Sequence, residues 1–252
     1  GLEDVERRVL RTIGEPVVRF REDPIRIIRA AKFAGRLGFS IEESTYAAMA
    51  EVAPDLSRAA PPRMLEEILR LLRGGHALES FQILRDIGAL AVVLPVISTF
   101  LNEAPEEDRV RFWRVLEALD HKVLGGVEVP NPVLLGVMFA APVRSHALRE
   151  RRRSSTTVAE QLIGPFAADL RLPRRDAGCL KRICGVQLRF TAHGPKRFKT
   201  ASFLRDPYFD EAMVLFELTC AATGEGMSDL QRWKELRREA EAEDATAPAE
   251  EA

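Results

Sequence analysis

"RFREDPIRIIRAAKFAGRLGF", residues 19–39, decides how the chain is read. Arg19, Arg21, Arg26, Arg29, Lys32 and Arg36 crowd positive charge onto one short stretch, yet the 252-residue chain carries a formal net charge of only -1. Ile27, Ile28, Ala30, Ala31 and Ala34 supply an apolar side at helical spacing, and Gly38 is a natural C-terminal stop. The stretch therefore predicts a helix from about Glu22 to Gly38. Asp23, Arg26, Arg29 and Lys32 recur every third residue, on adjoining turns, as a polar strip that drifts slowly around the axis. One reading is ordinary: Asp23 is a helix-start acid favoured by the macrodipole, and Arg26 pairs with Glu22 four residues back. The other is functional. A carboxylate only accepts hydrogen bonds and an arginine only donates, so Asp23 and Arg26 together match the mixed edge of adenine or cytosine. Arg29 and Lys32, further along, could then hold phosphates.

Helical period dominates on both sides of this stretch. Before it, "LEDVERRVLRTIG" places Leu2, Val5, Val9, Leu10 and Ile13 on one face and stops at Gly14. After it, Ser40 with Glu43 three residues later reads as a capping box opening the next helix. "PPRMLEEILRLLRGG" has Pro61 and Pro62 at its start and Gly74 and Gly75 at its end. "HALESFQILRDIGAL" follows, and further helices are expected over 106–123, 131–149, 154–169, 174–191, 194–204, 207–223 and 228–243. Only "EPVVRF" and "GGVEVP" are plausible extended pieces. The fold class is all-α, built of successive helical hairpins. The end, "EAEAEDATAPAEEA", is acidic and poor in apolar residues, the composition of a disordered tail.

Composition narrows the function classes. With 46% apolar and 30% charged residues the chain reads as a soluble globular protein. Three cysteines, Cys179, Cys184 and Cys220, without a CxxC pair argue against a disulfide framework or a zinc site and fit a reducing cytoplasm. The longest apolar run, "VLLGVMFAAPV" from Val133, is too short to span a membrane. The first residue is Gly rather than Met, so the chain reads as a piece of something longer. Charge is segregated. Residues 171–205 hold ten Lys or Arg and one acid, Asp176, and "RSHALRERRR" at 144–153 adds a second basic cluster. A basic belt on a near-neutral body suggests a polyanion partner, although solvated helix faces give the same pattern. His76, His121, His146 and His193 show no metal-ligand spacing. Phe190, Phe198 and Phe203 lie in the belt and could stack on bases, but core packing is the better reading for Phe.

The stretch "EDPIRIIRAAKFAGRLGF" resembles the neck motif EDxxRxxRAxRFaaxLgF of class II nucleotidyltransferases, the family of bacterial poly(A) polymerases and tRNA CCA-adding enzymes. Further segments resemble the helical body of the bacterial poly(A) polymerases: "PPRMLEEILRLLRGG", "FQILRDIGALAVVLPVI", "NPVLLGVMFAAP", "LRLPRRD" and "GPKRFKTASFLRDPYFDEAMVLFEL". The resemblance implies an elongated neck-and-body array. Residues 1–75 would be the nucleotide-selecting neck, 76–235 an RNA-binding body and 236–252 a disordered acidic tail. It also implies that Asp23 and Arg26 read the base of an incoming ATP and that Arg29 and Lys32 contact its phosphates. The family usually has Arg where this chain has Lys32, so the charge is kept and the bidentate fork is lost. The local charge of the basic belt, rather than the resemblance, puts Arg174, Arg175, Lys196 and Arg197 on the backbone of an RNA partner.

Catalysis in this family belongs to a head domain that precedes the neck, with a Gly-rich signature and carboxylates for two magnesium ions. No such Gly-Gly and Asp-x-Asp arrangement occurs in residues 1–252, so no catalytic or metal residue is assigned and the chain alone is expected to be inactive. Three functions are carried forward: addition of AMP from ATP to RNA 3' ends, addition of CCA to tRNA, and a non-catalytic helical RNA-binding module. A cytoplasmic setting is expected for each.

Overall fold

The computed structural model of the chain describes residues 1–150, 153–191 and 200–246. Helix α1 (Leu2–Glu6) leads into strand β1 (Val9–Leu10), followed by α2 (Pro16–Glu22), α3 (Ile25–Leu37), strand β2 (Ser40–Ile41) and α4 (Glu43–Val52). A 3-10 turn at Ala53–Arg58 precedes α5 (Pro61–Leu72), α6 (Ala77–Asp86), α7 (Ala89–Val93), α8 (Pro95–Glu103) and α9 (Glu106–Leu124). The rest comprises α10 (Asn131–Arg149), α11 (Ser155–Asp169), α12 (Arg174–Gly185), a 3-10 turn at Gln187–Phe190, α13 (Thr200–Leu204), α14 (Phe209–Thr223) and α15 (Met227–Thr246). The fold is all-α, as the helical period predicts.

The beginning departs from the expected helices in four places, each for a local reason. The helix expected over residues 2–13 stops at Glu6. Its apolar face has nothing to pack on, with Leu2 86% and Val5 61% exposed, and a short uncovered helix is marginal. The chain turns through Arg8 at φ 54°, and Val9 and Leu10 pair in parallel with Ser40 and Ile41. Ser40 is therefore a strand residue, and the cap of α4 is Glu42, whose side chain accepts from the Thr45 N–H at 2.8 Å. "EPVVRF" is helical, not extended, because Pro16 takes the first helical position and Phe20 is buried. Finally, the helix expected from Glu22 begins at Ile25. Pro24 disfavours the helical conformation at the residue before it, and Asp23 sits at φ -150°, ψ 92° between α2 and α3. Gly38 closes α3 in the left-handed conformation, as expected.

Buried apolar residues from Phe20 to Trp233 join in one cluster. Helix α10 lies inside it, buried on nearly every side from Val133 to Ala147 and packed against α9, α11, α12 and α14. The apolar run from Val133 is thus a core helix, and among the described residues no helix is long and apolar enough to cross a membrane. Asp120 of α9 fixes the start of α6, accepting from the Ala77 N–H at 2.7 Å and the Leu78 N–H at 2.9 Å. Phe190 and Phe203 are 1% and 3% exposed, in an aromatic core with Phe209, Phe216 and Trp233, while Phe198 lies outside the described residues. Cys179, Cys184 and Cys220 are buried packing residues, and burial pushes the Cys179 thiol up to about 12. Helix α15 runs on to Thr246, into the segment read from composition as a tail. Arg237 there donates to the Leu204 carbonyl at 3.0 Å and to Asp210 at 3.0 Å.

Helix α3 meets α6 at Gly35. A Cβ at this position would stand 2.8 Å from Ser80 Oγ and 3.2 Å from the Ser80 backbone nitrogen. Ser80 is buried and donates to the His76 carbonyl at 2.6 Å, so it has little room to move. Gly35→Val is expected to lower unfolding free energy by about 1–3 kcal/mol, as overpacking does. A denaturant titration that left the midpoint in place would show that α3 and α6 separate freely.

Candidate functional site

The polar strip of α3 is built by three helices. Arg26, Arg29 and Lys32 project from α3, whose opposite side buries Ile25, Ile27, Ile28, Ala31 and Ala34. Asp23 lies outside this helix, where Pro24 puts it, so it is not the first rung of the expected row. Its Oδ2 accepts from Arg63 Nη2 of α5 at 2.6 Å, and its side chain is 20% exposed. Arg26 turns back toward α2. Its Nη1 donates to Glu22 Oε2 at 3.0 Å and to the Arg19 carbonyl at 2.9 Å. Glu22 also accepts from Arg19 at 3.0 Å, so Glu22 braces Arg26 as the i, i+4 spacing implies. An acceptor and a donor stand at neighbouring positions, and each already has a protein partner.

Beneath the strip lies Glu67 of α5, which is 2% exposed. Its Oε1 accepts from Arg29 Nε at 2.9 Å and more weakly from Arg70 Nη1 at 3.5 Å. Lys32 Nζ stands 3.9 Å from Oε2, within ion-pair reach but too far for a hydrogen bond, and among the described residues Oε2 has no hydrogen-bond donor. A buried carboxylate is retained only with compensating charge, and three cations surround this one. The consequence is positional: Arg29 is held from below with part of its guanidinium left toward solvent, at 39% side-chain exposure. Arg70 also meets Glu66 at 3.0 Å, so three cations face two carboxylates and the cluster keeps net positive charge, the condition for holding a phosphate.

Sequence reasoning places Arg29 and Lys32 together and does not single out Arg63 or Glu67 as their partners. A signal for Glu67 was present. Met64, Ile68 and Leu71 form the buried stripe of α5, and Glu67 is an acid set within it. Arg63 carried no such mark, since it is exposed and follows two prolines like an ordinary first-turn residue.

In the basic belt, Arg174 and Arg175 open α12 and are exposed. Lys196 and Arg197 lie outside the described residues, as do Arg151, Arg152 and His193. Part of the belt is neutralised locally: Lys181 donates to Glu160 at 2.6 Å, and Arg182 is paired with Asp206.

Comparison with known proteins finds relatives over most of the chain. A family described as "Probable RNA and SrmB- binding site of polymerase A" matches residues 38–101. Poly(A) polymerase I of Salmonella typhi is 28% identical over 252 residues, covering 95% of this chain and 53% of its own length. A CCA-adding enzyme of Geobacillus sp. (strain WCH70) is 36% identical over 118 residues, 47% of this chain and 29% of its own length. The chain spans about half the length of the poly(A) polymerases it matches. In fold it is similar to the complex structure of a CCA-adding enzyme with ATP, at a TM-score of 0.65 and 16% identity, covering 98% of this chain and 54% of that one.

Proposed function

We propose, from the premise that the chain is a class II nucleotidyltransferase related to the CCA-adding enzymes, that it forms the neck and body of an enzyme adding AMP from ATP to RNA 3' ends. One observation carries the choice between products. Similarity to poly(A) polymerase I extends over 95% of the chain, whereas the CCA-adding relative matches 47%. In this reading residues 1–75 select the nucleotide and residues 76–235 hold RNA. Asp23 and Arg26 face the base, and Arg29 and Lys32 hold phosphates. Magnesium would supply charge stabilisation for phosphoryl transfer, but the acids of this site do not suit it. Glu67 is ringed by Arg29, Lys32 and Arg70, and Asp23 is tied to Arg63. Both acids are taken up by cations, and residues 1–252 alone are expected to transfer no nucleotide.

The residues of this chain would act by binding and orientation. An edge-reading pair rejects the wrong base because its polar groups are then left unpaired. A cation row held by a buried carboxylate fixes the triphosphate without distinguishing bases. RNA binding by the belt is tested by a salt titration of an oligoadenylate. Replacing Arg174, Arg175, Lys196 and Arg197 together with Ala is expected to lower the slope of log K against log salt by about 3, at roughly 0.7 per phosphate contact on a single strand. An unchanged slope would place the RNA elsewhere.

A further inference from the structure

A cavity of about 170 Å³ lies in the second half of the chain, between α9, α10, α14 and the start of α15, apart from the α3 strip. Much of its wall is apolar, formed by Val115, Ala140, Leu188 and the Phe216 ring; two arginines, Arg111 and Arg144, share the lining with two acids, Glu225 and Asp229. A volume of about 150 Å³ accommodates a benzene ring, so this one admits a flat aromatic ring of modest size.

The two arginines are unequally satisfied. Arg111, 14% exposed at its side chain, donates to Glu225 Oε2 at 2.7 Å. Glu225 is 65% exposed at its side chain and sits in the turn between α14 and α15, flanked by Gly224 and Gly226 at φ 72° and 75°. Both glycines occupy the left-handed region, and a Cβ at Gly226 would approach the Phe216 ring to 3.1 Å, so the turn needs glycine there. Arg144 is 27% exposed, and its ion pair with Asp108 spans 3.6 Å, beyond hydrogen-bond length. The nearer bond of Asp108 goes to Ser145, whose hydroxyl donates to Oδ2 at 2.6 Å. Burial, and then the neighbouring Arg111 guanidinium, push the Arg144 guanidinium below its ordinary value. Two guanidinium groups thus stand near each other at an apolar cavity. One has a carboxylate partner on an exposed turn, and the other has, among the described residues, only the Asp108 carboxylate at 3.6 Å. Planar anions bearing phosphate match that fork geometry.

We propose that this cavity binds a single nucleotide, with the base in the apolar recess and the phosphate on Arg144 and Arg111, displacing Glu225 from Arg111. The choice of a nucleotide as the flat anion rests on the RNA-processing reading above. The nucleotide comes either free from solution or from the bound RNA strand.

The test is calorimetric titration of residues 1–252 with AMP, adenosine and inorganic phosphate. The expected result is saturable AMP binding that persists in Arg29→Ala, with adenosine and phosphate each at least tenfold weaker. Arg144→Gln removes the cation whose only ion pair is the long one to Asp108, and Ala140→Leu fills the recess while leaving both arginines. Each, made in the Arg29→Ala protein so that the α3 strip does not contribute, is expected to weaken AMP at least tenfold, with thermal melting confirming that the variant is folded. Hexaadenylate distinguishes the sources: if both variants weaken it to the same extent, the nucleotide belongs to RNA, and if they spare it, the nucleotide is free. The proposal is overturned if wild-type protein shows no saturable AMP binding, if Arg29→Ala abolishes it all, if both folded variants bind normally, or if phosphate alone binds as tightly as AMP. None of these outcomes depends on whether the protein extends RNA, so failure here leaves the nucleotidyltransferase reading standing.

Discussion

Asp23→Ala, in a polypeptide that also carries the half preceding the neck in the relatives, is expected to shrink the ratio of kcat/KM for ATP over GTP. The reason is local. Pro24 holds Asp23 off the helix in extended conformation, so its carboxylate meets Arg63 across a 2.6 Å contact rather than pairing along α3. A base edge offering a donor to Asp23 adds an interaction that the wrong base lacks. An unmatched polar group at such an edge costs about 1–3 kcal/mol, or roughly 5- to 150-fold in relative rate. Arg29→Ala supplies the contrast. Arg29 sits on Glu67 within the cation row proposed to hold the phosphates, and a phosphate carries no base information, so all four nucleotides should weaken by a similar factor. If Asp23→Ala lowered every nucleotide by one common factor, Asp23 would serve only to anchor Arg63.

Glu67→Ala is expected to lower the unfolding free energy of residues 1–252 by about 1–3 kcal/mol. The carboxylate is 2% exposed and has Arg29, Lys32 and Arg70 around it. Removing one partner of a fully buried pair costs more, but Arg29 and Arg70 are 39% and 50% exposed and can turn to water, which reduces the loss. The truncation also opens space in the apolar stripe between Met64 and Leu71. Glu67→Gln keeps the shape and an acceptor for Arg29, so it should cost less stability. In the longer polypeptide it should still raise KM for every nucleotide, because Arg29 and Lys32 would no longer be drawn to a charge. A denaturant titration measures the first effect and steady-state kinetics the second. If Glu67→Ala melts like the parent protein, the carboxylate does not hold the cation row together.

Much of this could be read from the sequence, and the exceptions have identifiable causes. Long helices such as α9, α10 and α14 fall close to their expected bounds because each is a long unbroken run set off by recognisable stops: Pro105 and Gly125 around α9, Pro130 before α10 and Gly224 after α14. The first forty residues were harder. The apolar period of Leu2, Val5 and Val9 is genuine, but period alone cannot tell that no partner covers that face. The effect of Pro24 on Asp23 follows from sterics, whereas the three-residue spacing of Asp23, Arg26, Arg29 and Lys32 is blind to it and implies an unbroken row. The tie between Asp23 and Arg63 spans forty residues and that between Arg29 and Glu67 spans thirty-eight. Contacts at that separation depend on how α3 and α5 pack, which local pattern does not encode.

The most direct measurement is extension of an unstructured RNA by the longer polypeptide, supplied in turn with each ribonucleoside triphosphate, with residues 1–252 alone in parallel. The expected result is a long adenylate tail from ATP, little from the other three, and none from residues 1–252 alone. Addition of C, C and A to a tRNA ending and then a stop would contradict the choice of product, and no extension of any RNA by the longer polypeptide would contradict the nucleotidyltransferase reading itself.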